Sequence, residues 1–204
     1  MSLAFSRDGK LLASGGRDGA ARIWDVASGK EKIAFQADSN WDVRCLAFRP
    51  DGKLLAAGGR VVRIWDLQTH KEKRVALEGK VYLLRSSAAL SPDGKRLAIG
   101  SGLDDPWVQL WDVDTGKLKA KIHWNLQGGD GGPIAFSSDG TRLAAWGDNG
   151  VLRVWEMGSG KRPELLHSSR RNTRGETWVI AFSSNGKLLA SGGRDRVVRL
   201  WDAP

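Results

Sequence analysis

Ser14-Gly-Gly-Arg-Asp-Gly-Ala-Ala-Arg-Ile-Trp-Asp25 returns near the other end of the chain as Ser191-Gly-Gly-Arg-Asp-Arg-Val-Val-Arg-Leu-Trp-Asp202. Weaker copies between them close on Trp65-Asp66, Trp111-Asp112 and Trp155-Glu156. The closing tryptophans fall 41, 46, 44 and 46 residues apart. A period of this length marks a repeat architecture in which each copy is one small sheet. Alone, such a sheet leaves an apolar face in water; stacked against its neighbours it does not.

Working outward from each tryptophan, the same punctuation recurs. In the first unit, Leu3-Ala-Phe5, Leu11 to Ser14, Ala20 to Trp24 and Glu31 to Phe35 read as four short strands. Asp8-Gly9 joins the first two, because Asp-Gly supplies the positive φ angles of a tight hairpin. Asp51-Gly52, Asp93-Gly94, Asp139-Gly140 and Asn185-Gly186 stand at the same place in the later units. Strands are expected at Val43 to Phe48, Leu54 to Ala57, Val61 to Trp65 and Glu72 to Leu77. The third set starts near Leu83 and continues through Leu97 to Ile99, Trp107 to Trp111 and Leu118 to Ile122. The fourth runs through Pro133 to Phe136, Leu143 to Ala145, Val151 to Trp155 and a weak last strand near Leu165. The fifth has Trp178 to Phe182, Leu188 to Ala190 and Val197 to Trp201, then stops at Ala203-Pro204.

Windows such as Leu54-Leu-Ala-Ala57 are apolar on both sides, the pattern of a strand covered on both faces. Lys117-Leu-Lys-Ala-Lys-Ile122 alternates instead, and lysine is how an exposed edge avoids pairing. The first strands are therefore expected inside and the fourth at the rim. No stretch holds a helical period over two turns.

The 204 residues carry 41% hydrophobic side chains and 26 glycines in short clusters, which favours a packed core with many turns over disorder. The net charge of +9 favours acidic partners, and a solvated basic surface equally accounts for it. Its one dense cluster is Arg170, Arg171 and Arg174. A single cysteine, Cys45, excludes an intrachain disulfide and sits in an apolar strand as a core residue. No run reaches transmembrane length, and the N-terminus lacks a signal peptide's pattern, so a cytoplasmic location is expected.

The five Trp-Asp or Trp-Glu closings, the five hairpin dipeptides and the Ala-Phe-Ser or Ala-Phe-Arg ends of four first strands resemble the WD-repeat β-propeller family. The resemblance implies an all-β fold, a β-propeller of four-stranded antiparallel blades, here in five units. Approximate bounds within a single 1–204 propeller domain are 1–38, 39–79, 80–125, 126–170 and 171–204. The last strand of blade five is missing, so an open arc or a fragment of a longer propeller is expected. A ring closed on five blades or through a second chain is the alternative. Bare flanks on blades one and five would then favour self-association. The family's buried tetrad needs a His before the first strand, an Asp after strand two, a Ser or Thr on strand two, and the Trp. Ser14, Asp18 and Trp24 match three places, as do Ser191, Asp195 and Trp201; Trp65, Trp111 and Trp155 keep the closing position. The Gly-His is absent: His70, His123 and His167 lie elsewhere.

No catalytic constellation, cofactor site or metal site is expected. A nucleophile needs an adjacent base, and Cys45 and the three histidines fall in separate places without ligand spacing. Asp104-Asp105 reads as a turn, and Gly128-Gly-Asp-Gly-Gly132 as a pliable loop lacking the Lys and helix of a phosphate loop. One active site needs one constellation, whereas the Trp-Asp closings come five times. The resemblance implies instead a non-enzymatic scaffold that presents a rigid rim to a protein or peptide, preferably acidic. The rim residues expected to bind are Arg17, Trp41, Arg60, Asp104, Arg170, Arg171, Arg174 and Arg194; Arg and Trp are enriched at interface hot spots. A nucleic-acid-binding propeller, or a regulatory module of a larger enzyme, is the alternative.

Overall fold

A computed structural model describes residues 2–36, 43, 45–49, 51, 53–58, 61–76, 87–100, 107–123, 132–147, 150–158, 163–170 and 177–203. Every regular element among them is a β-strand. The first antiparallel sheet runs β1 (Ser2–Phe5), β2 (Leu11–Gly15), β3 (Ala20–Asp25), β4 (Glu31–Gln36) in spatial order. The second is β5 (Cys45–Phe48), β6 (Lys53–Gly58), β7 (Val61–Asp66), β8 (Glu72–Ala76). The third is β9 (Ser87–Leu90), β10 (Arg96–Gly100), β11 (Trp107–Asp112), β12 (Leu118–His123). The fourth is β13 (Ile134–Phe136), β14 (Arg142–Trp146), β15 (Val151–Glu156), β16 (Glu164–Arg170). The fifth has three strands, β17 (Thr177–Phe182), β18 (Leu188–Gly193) and β19 (Val198–Asp202).

The register repeats in the first, fourth and fifth sheets and is displaced by one residue in the second, where Leu54, the sequence counterpart of Leu11, takes the place of Leu12. A leucine on the second strand stands opposite the closing tryptophan of the third: Leu12 to Trp24, Leu54 to Trp65, Leu143 to Trp155 and Leu189 to Trp201. The expected strands are all present within a few residues, with one difference of weight. The weak strand near Leu165 is the seven-residue β16, which follows β15 along its whole length across a bulge at Val154/Trp155. Its exposed Leu165 and Leu166 hide the alternation in the sequence.

The residues gather into two compact units, Met1–Leu84 with Pro92–Leu97 and Trp111–Leu118, and Arg85–Ser91 with Ala98–Leu110 and Lys119–Pro204. In the former, Ala13, Ala21 and Ile23 of the first sheet are buried against Val43, Leu46 and Trp65 of the second. The Phe35 ring stacks on Trp65 at 5.0 Å between centroids. In the latter, the fourth sheet is covered on both faces. Leu143, Ala145 and Trp155 pack against Ala98, Val108, Leu110 and Ile122 of the third sheet. On its other face, Ala144, Trp146, Leu152 and Val154 pack against Ile180 and Leu189 of the fifth. Small residues on one sheet meet large ones on the next, which lets neighbouring sheets interdigitate. Cys45 is buried, as its apolar setting requires.

The hairpin dipeptides do what their chemistry predicts. Gly9, Gly94, Gly140 and Gly186 have φ between 65° and 71°. In the fourth sheet Asp139 locks the turn by accepting from Thr141 N, at 2.9 Å, and from Ser137 Oγ, at 2.6 Å. These bonds, Ser137's first, lower its pKa to about 2. The fifth sheet makes the same turn with Asn185, which accepts from Ser183 Oγ and Lys187 N.

The Gly128 to Gly132 stretch ends differently from the pliable loop expected. Residues 128–131 lie outside the described residues, but Gly132 is a close-approach position. A Cβ there would lie 1.7 Å from the Trp146 carbonyl oxygen. The Gly132 carbonyl also accepts from Ser87 Oγ.

Two outcomes are expected. Gly132→Ala should cost at least about 2 kcal/mol in denaturant unfolding, because backbone must move to admit the methyl. Asp139 has a folded pKa below its unfolded value, so its contribution is present above pH ~4 and lost as pH falls toward about 2. Asp139→Asn, which copies the fifth sheet's turn, should therefore fold at pH 7 and lose less stability than the parent chain over that acid window.

Candidate rim turns of a repeat scaffold

The turn after the second strand is the best-defined polar construction in the first and fifth sheets. In the first, Asp18 Oδ1 accepts from Ala20 N at 3.2 Å and Asp18 Oδ2 pairs with Arg22 Nη1 at 2.6 Å. In the fifth, Asp195 Oδ1 accepts from Val197 N at 3.2 Å and Asp195 Oδ2 pairs with Arg199 Nη1 at 2.5 Å. Each arginine, the leading partner, lowers its carboxylate's pKa from the ordinary value. Beneath each turn, the tryptophan donates to the second-strand serine, Trp24 Nε1 to Ser14 Oγ at 2.8 Å and Trp201 Nε1 to Ser191 Oγ at 2.9 Å.

The tetrad that the resemblance implied is thus present only in part. Ser14 with Trp24, and Ser191 with Trp201, form its inner bond. Asp18 and Asp195 turn instead to an arginine four residues on. With no histidine to hold the carboxylate, the guanidinium on the third strand is the nearest strong donor. That position is Arg in four units, as Arg22, Arg63, Arg153 and Arg199, and Gln109 in the third. Arg63, itself buried, pairs with Glu72 of β8. In the third and fourth units Ile99 and Ala145 replace the serine, and the buried Trp111 Nε1 has no hydrogen-bond partner. The serines, aspartates and tryptophans were legible in the sequence and the arginines were missed; their recurrence two residues before four of the five closing tryptophans was the available signal.

The Asp of the Trp-Asp pair has its own local task. Asp25 Oδ1 accepts from Ser28 N and Ser28 Oγ, at 2.9 and 2.7 Å. Asp112 Oδ1 accepts from Thr115 N and Thr115 Oγ1, at 2.9 and 2.8 Å. Asp66 does the same for Gln68 N and Thr69 N, at 3.0 and 2.8 Å. The Trp anchors the sheet and the Asp turns the chain into the outer strand. The turn needs a left-handed residue, which is Gly29, Gly116 and, in the second sheet, His70 with φ 58°.

Among the residues expected to bind, Arg17 and Arg194 are exposed at the turns after β2 and β18. Arg170 ends β16 opposite Val151. Trp41, Arg60, Asp104, Arg171 and Arg174 lie outside the described residues, as does Asp105. His70 lies edge-on to Phe35 and His123 edge-on to Trp107. No group of three potential metal ligands occurs among the described residues. Among the described residues no helix is long and apolar enough to cross a membrane.

The turn of the fifth sheet holds a residue that sequence reading passed over. Arg196 is exposed and takes φ 61°, where the first sheet has Gly19 at φ 71°. A left-handed non-glycine costs roughly 1–2 kcal/mol. Asp195, held by Arg199, is thus flanked by two exposed arginines.

The model of the "WD domain, G-beta repeat" family matches residues 1–25, 29–66 and 166–202, which hold the first, second and fifth closing tryptophans. These sheets are WD-repeat blades. The chain is 26% identical over 168 residues to the target of rapamycin complex subunit LST8 of Bos taurus, covering 76% of this chain and 48% of that protein. It is 30% identical over 196 residues to transducin beta-like protein 3 of Rattus norvegicus, covering 85% of this chain and 24% of that one. The chain thus spans about half the length, or less, of these curated relatives. The β-propeller domain of Myceliophteria thermophila Cps50 (Swd1) superposes with a TM-score of 0.75 over 99% of this chain and 69% of its own, at 17% identity. The fold is therefore that of a β-propeller.

The Ser–Trp bond yields a prediction. Ser191→Ala should cost about 1–2 kcal/mol, because the serine is buried and the half-buried indole loses its acceptor. The equivalent exchange in blade four already exists as Ala145, so Ala145→Ser should be tolerated within about 1 kcal/mol; thermal unfolding of both variants checks the pair.

Proposed function

We propose that this chain is a non-enzymatic scaffold that binds an acidic protein or peptide through its rim turns, in the cytoplasm. The observation that carries the reading is Arg196. The turn works with glycine in blade one, yet blade five keeps a strained arginine there beside Arg194. Backbone strain held at an exposed turn is a mark of use by a partner, since packing gains nothing from it. Arg194 and Arg196, both exposed, are the basic side chains on either side of the Asp195–Arg199 pair. In blade one Arg17 stands at the place of Arg194 and serves the same role. Arg60, Arg170, Arg171 and Arg174, with Trp41 and Asp104, extend the proposed set on sequence grounds.

The binding mechanism is preorganisation. Four-residue turns on packed sheets hold their side chains with little ordering left to lose on docking. Bidentate guanidinium–carboxylate contacts then select for acidic partners. Relatives whose names place them in complexes, such as a target of rapamycin complex subunit, support a binding role of this kind. The net charge of +9 favours a second reading, binding to nucleic acid. That reading predicts affinity for duplex or single-stranded DNA that falls steeply with log salt concentration.

Arg196→Gly separates function from fold. It should raise stability by about 1 kcal/mol, because glycine removes the left-handed strain. The same change, combined with Arg194→Ala, should weaken capture of a polyglutamate-containing probe peptide by at least about tenfold. Unchanged peptide binding with the expected gain in stability would remove the rim turn of blade five from the function.

A further inference from the structure

In blades one, two and five, the arginine two residues before the closing tryptophan is matched by a carboxylate. Arg22 pairs with Asp18 of its turn and, at 3.6 Å from Nε to Oε2, with Glu31 of β4. Arg63 pairs with Glu72 of β8, and Arg199 with Asp195. Two positions therefore supply the counter-charge. One is the turn residue four before the arginine; the other is the fourth-strand residue opposite the tryptophan, Glu31 to Trp24 and Glu72 to Trp65. In blade three, whose fourth strand opens on Leu118, the arginine itself is replaced by neutral Gln109.

Blade four keeps the arginine and has a carboxylate at neither position. Leu165 stands opposite Trp155, and the residue four before Arg153 is the uncharged Asn149, which lies outside the described residues. Nη1 of Arg153 is buried and has no hydrogen-bond partner among the described residues. Burial holds this arginine's pKa below its ordinary value. A guanidinium taken out of water with no counter-charge lowers stability, and buried polar groups are nearly always partnered. Blade two shows how a partner reaches this position: Glu72 meets the buried Arg63 from the outer strand. The same place in blade four is Leu165, 49% exposed, and Arg153 as a whole is half-buried, so that side of the strand is open to water.

We infer that Arg153 binds a carboxylate that blade four does not itself supply, brought in beside Leu165 as a free carboxylate or as the Asp or Glu side chain of a peptide. The ligand's oxygens take the place on Arg153 that Glu72 fills on Arg63, accepting charge-assisted hydrogen bonds from the guanidinium. The exposed Leu165 gives the ligand's carbon chain an apolar surface to lie on. The site is independent of the blade-five turn, whose arginines stay unchanged in the test below.

NMR of the arginine Nε–Hε groups in the full chain, at fixed pH and ionic strength, tests this. Acetate and triglutamate each replace chloride in separate titrations. The Arg153 resonance, assigned by its loss in Arg153→Gln, should move with either probe and saturate. Equal affinity for the two identifies a free carboxylate as the ligand; triglutamate binding at least about tenfold tighter identifies a peptide side chain. Leu165→Glu copies blades one and two. It should hold the Arg153 resonance at its ligand-bound position, abolish the response to both probes and raise Tm by about 2–4 °C. Leu165→Gln, polar but uncharged, should respond as the parent does. An Arg153 resonance that neither probe moves to saturation would overturn the proposal, and so would a Leu165→Glu chain that still responds. Arg194 and Arg196 report in the same spectra, so failure at Arg153 and failure at the blade-five turn are told apart.

Discussion

Everything in this structure depends on covering sheets that are apolar on both faces. A four-stranded antiparallel sheet with one wet face reads as alternation, and the middle strands here do not alternate. Ala144 and Leu143, neighbours on β14, are both fully buried because one faces the fifth sheet and the other the third. A lone sheet of this sequence would leave half of those side chains in water. The fold is held by the apolar junctions between sheets, the first with the second and the fourth with both the third and the fifth.

That pairing sets what the backbone must do. Sheets come close only where side chains allow it, which is why glycine appears at contacts as well as at turns. A Cβ on Gly15 would fall 2.5 Å from Val43 Cγ1, and one on Gly132 would meet the backbone of Trp146. The tryptophans fill the wider part of each junction. Where serine lies opposite, the indole gains a bond; where Ile99 stands in that place, packing alone holds Trp111, and its nitrogen is left without a partner. The stability of the junction therefore rests on shape first and on the polar network second.

Much of this was legible in the sequence because the repeat supplies its own controls. Five closings in phase located the sheets, and the dipeptides located the hairpins. The exposed β16 was underestimated, since Leu165 and Leu166 break the polar alternation that marks other outer strands. The Asp18–Arg22 and Asp195–Arg199 pairs were hidden for a different reason. The family's network takes a histidine as the carboxylate's partner, whereas here the donor sits on the neighbouring strand. Arg196 and His70 were invisible as strained residues, because a left-handed φ at a non-glycine follows from the geometry of the turn and leaves no trace in composition. Comparison with Gly19 and with Gly29 and Gly116 gives both away once register is known.

The rim turns and the junctions divide the labour. The turns rest on that cover: Asp18 and Asp195 are held by Arg22 and Arg199 above sheets that give them a firm base. Backbone hydrogen exchange on the dilute, single-chain protein tests the underlying claim most directly. Strands β14 and β15, covered on both faces, should exchange slowest, and β1 and β19, each with one bare face, should exchange faster by orders of magnitude. Equal protection of β1, β19 and β14 would contradict the account, because it would mean that stability does not come from the cover each sheet receives from its neighbours.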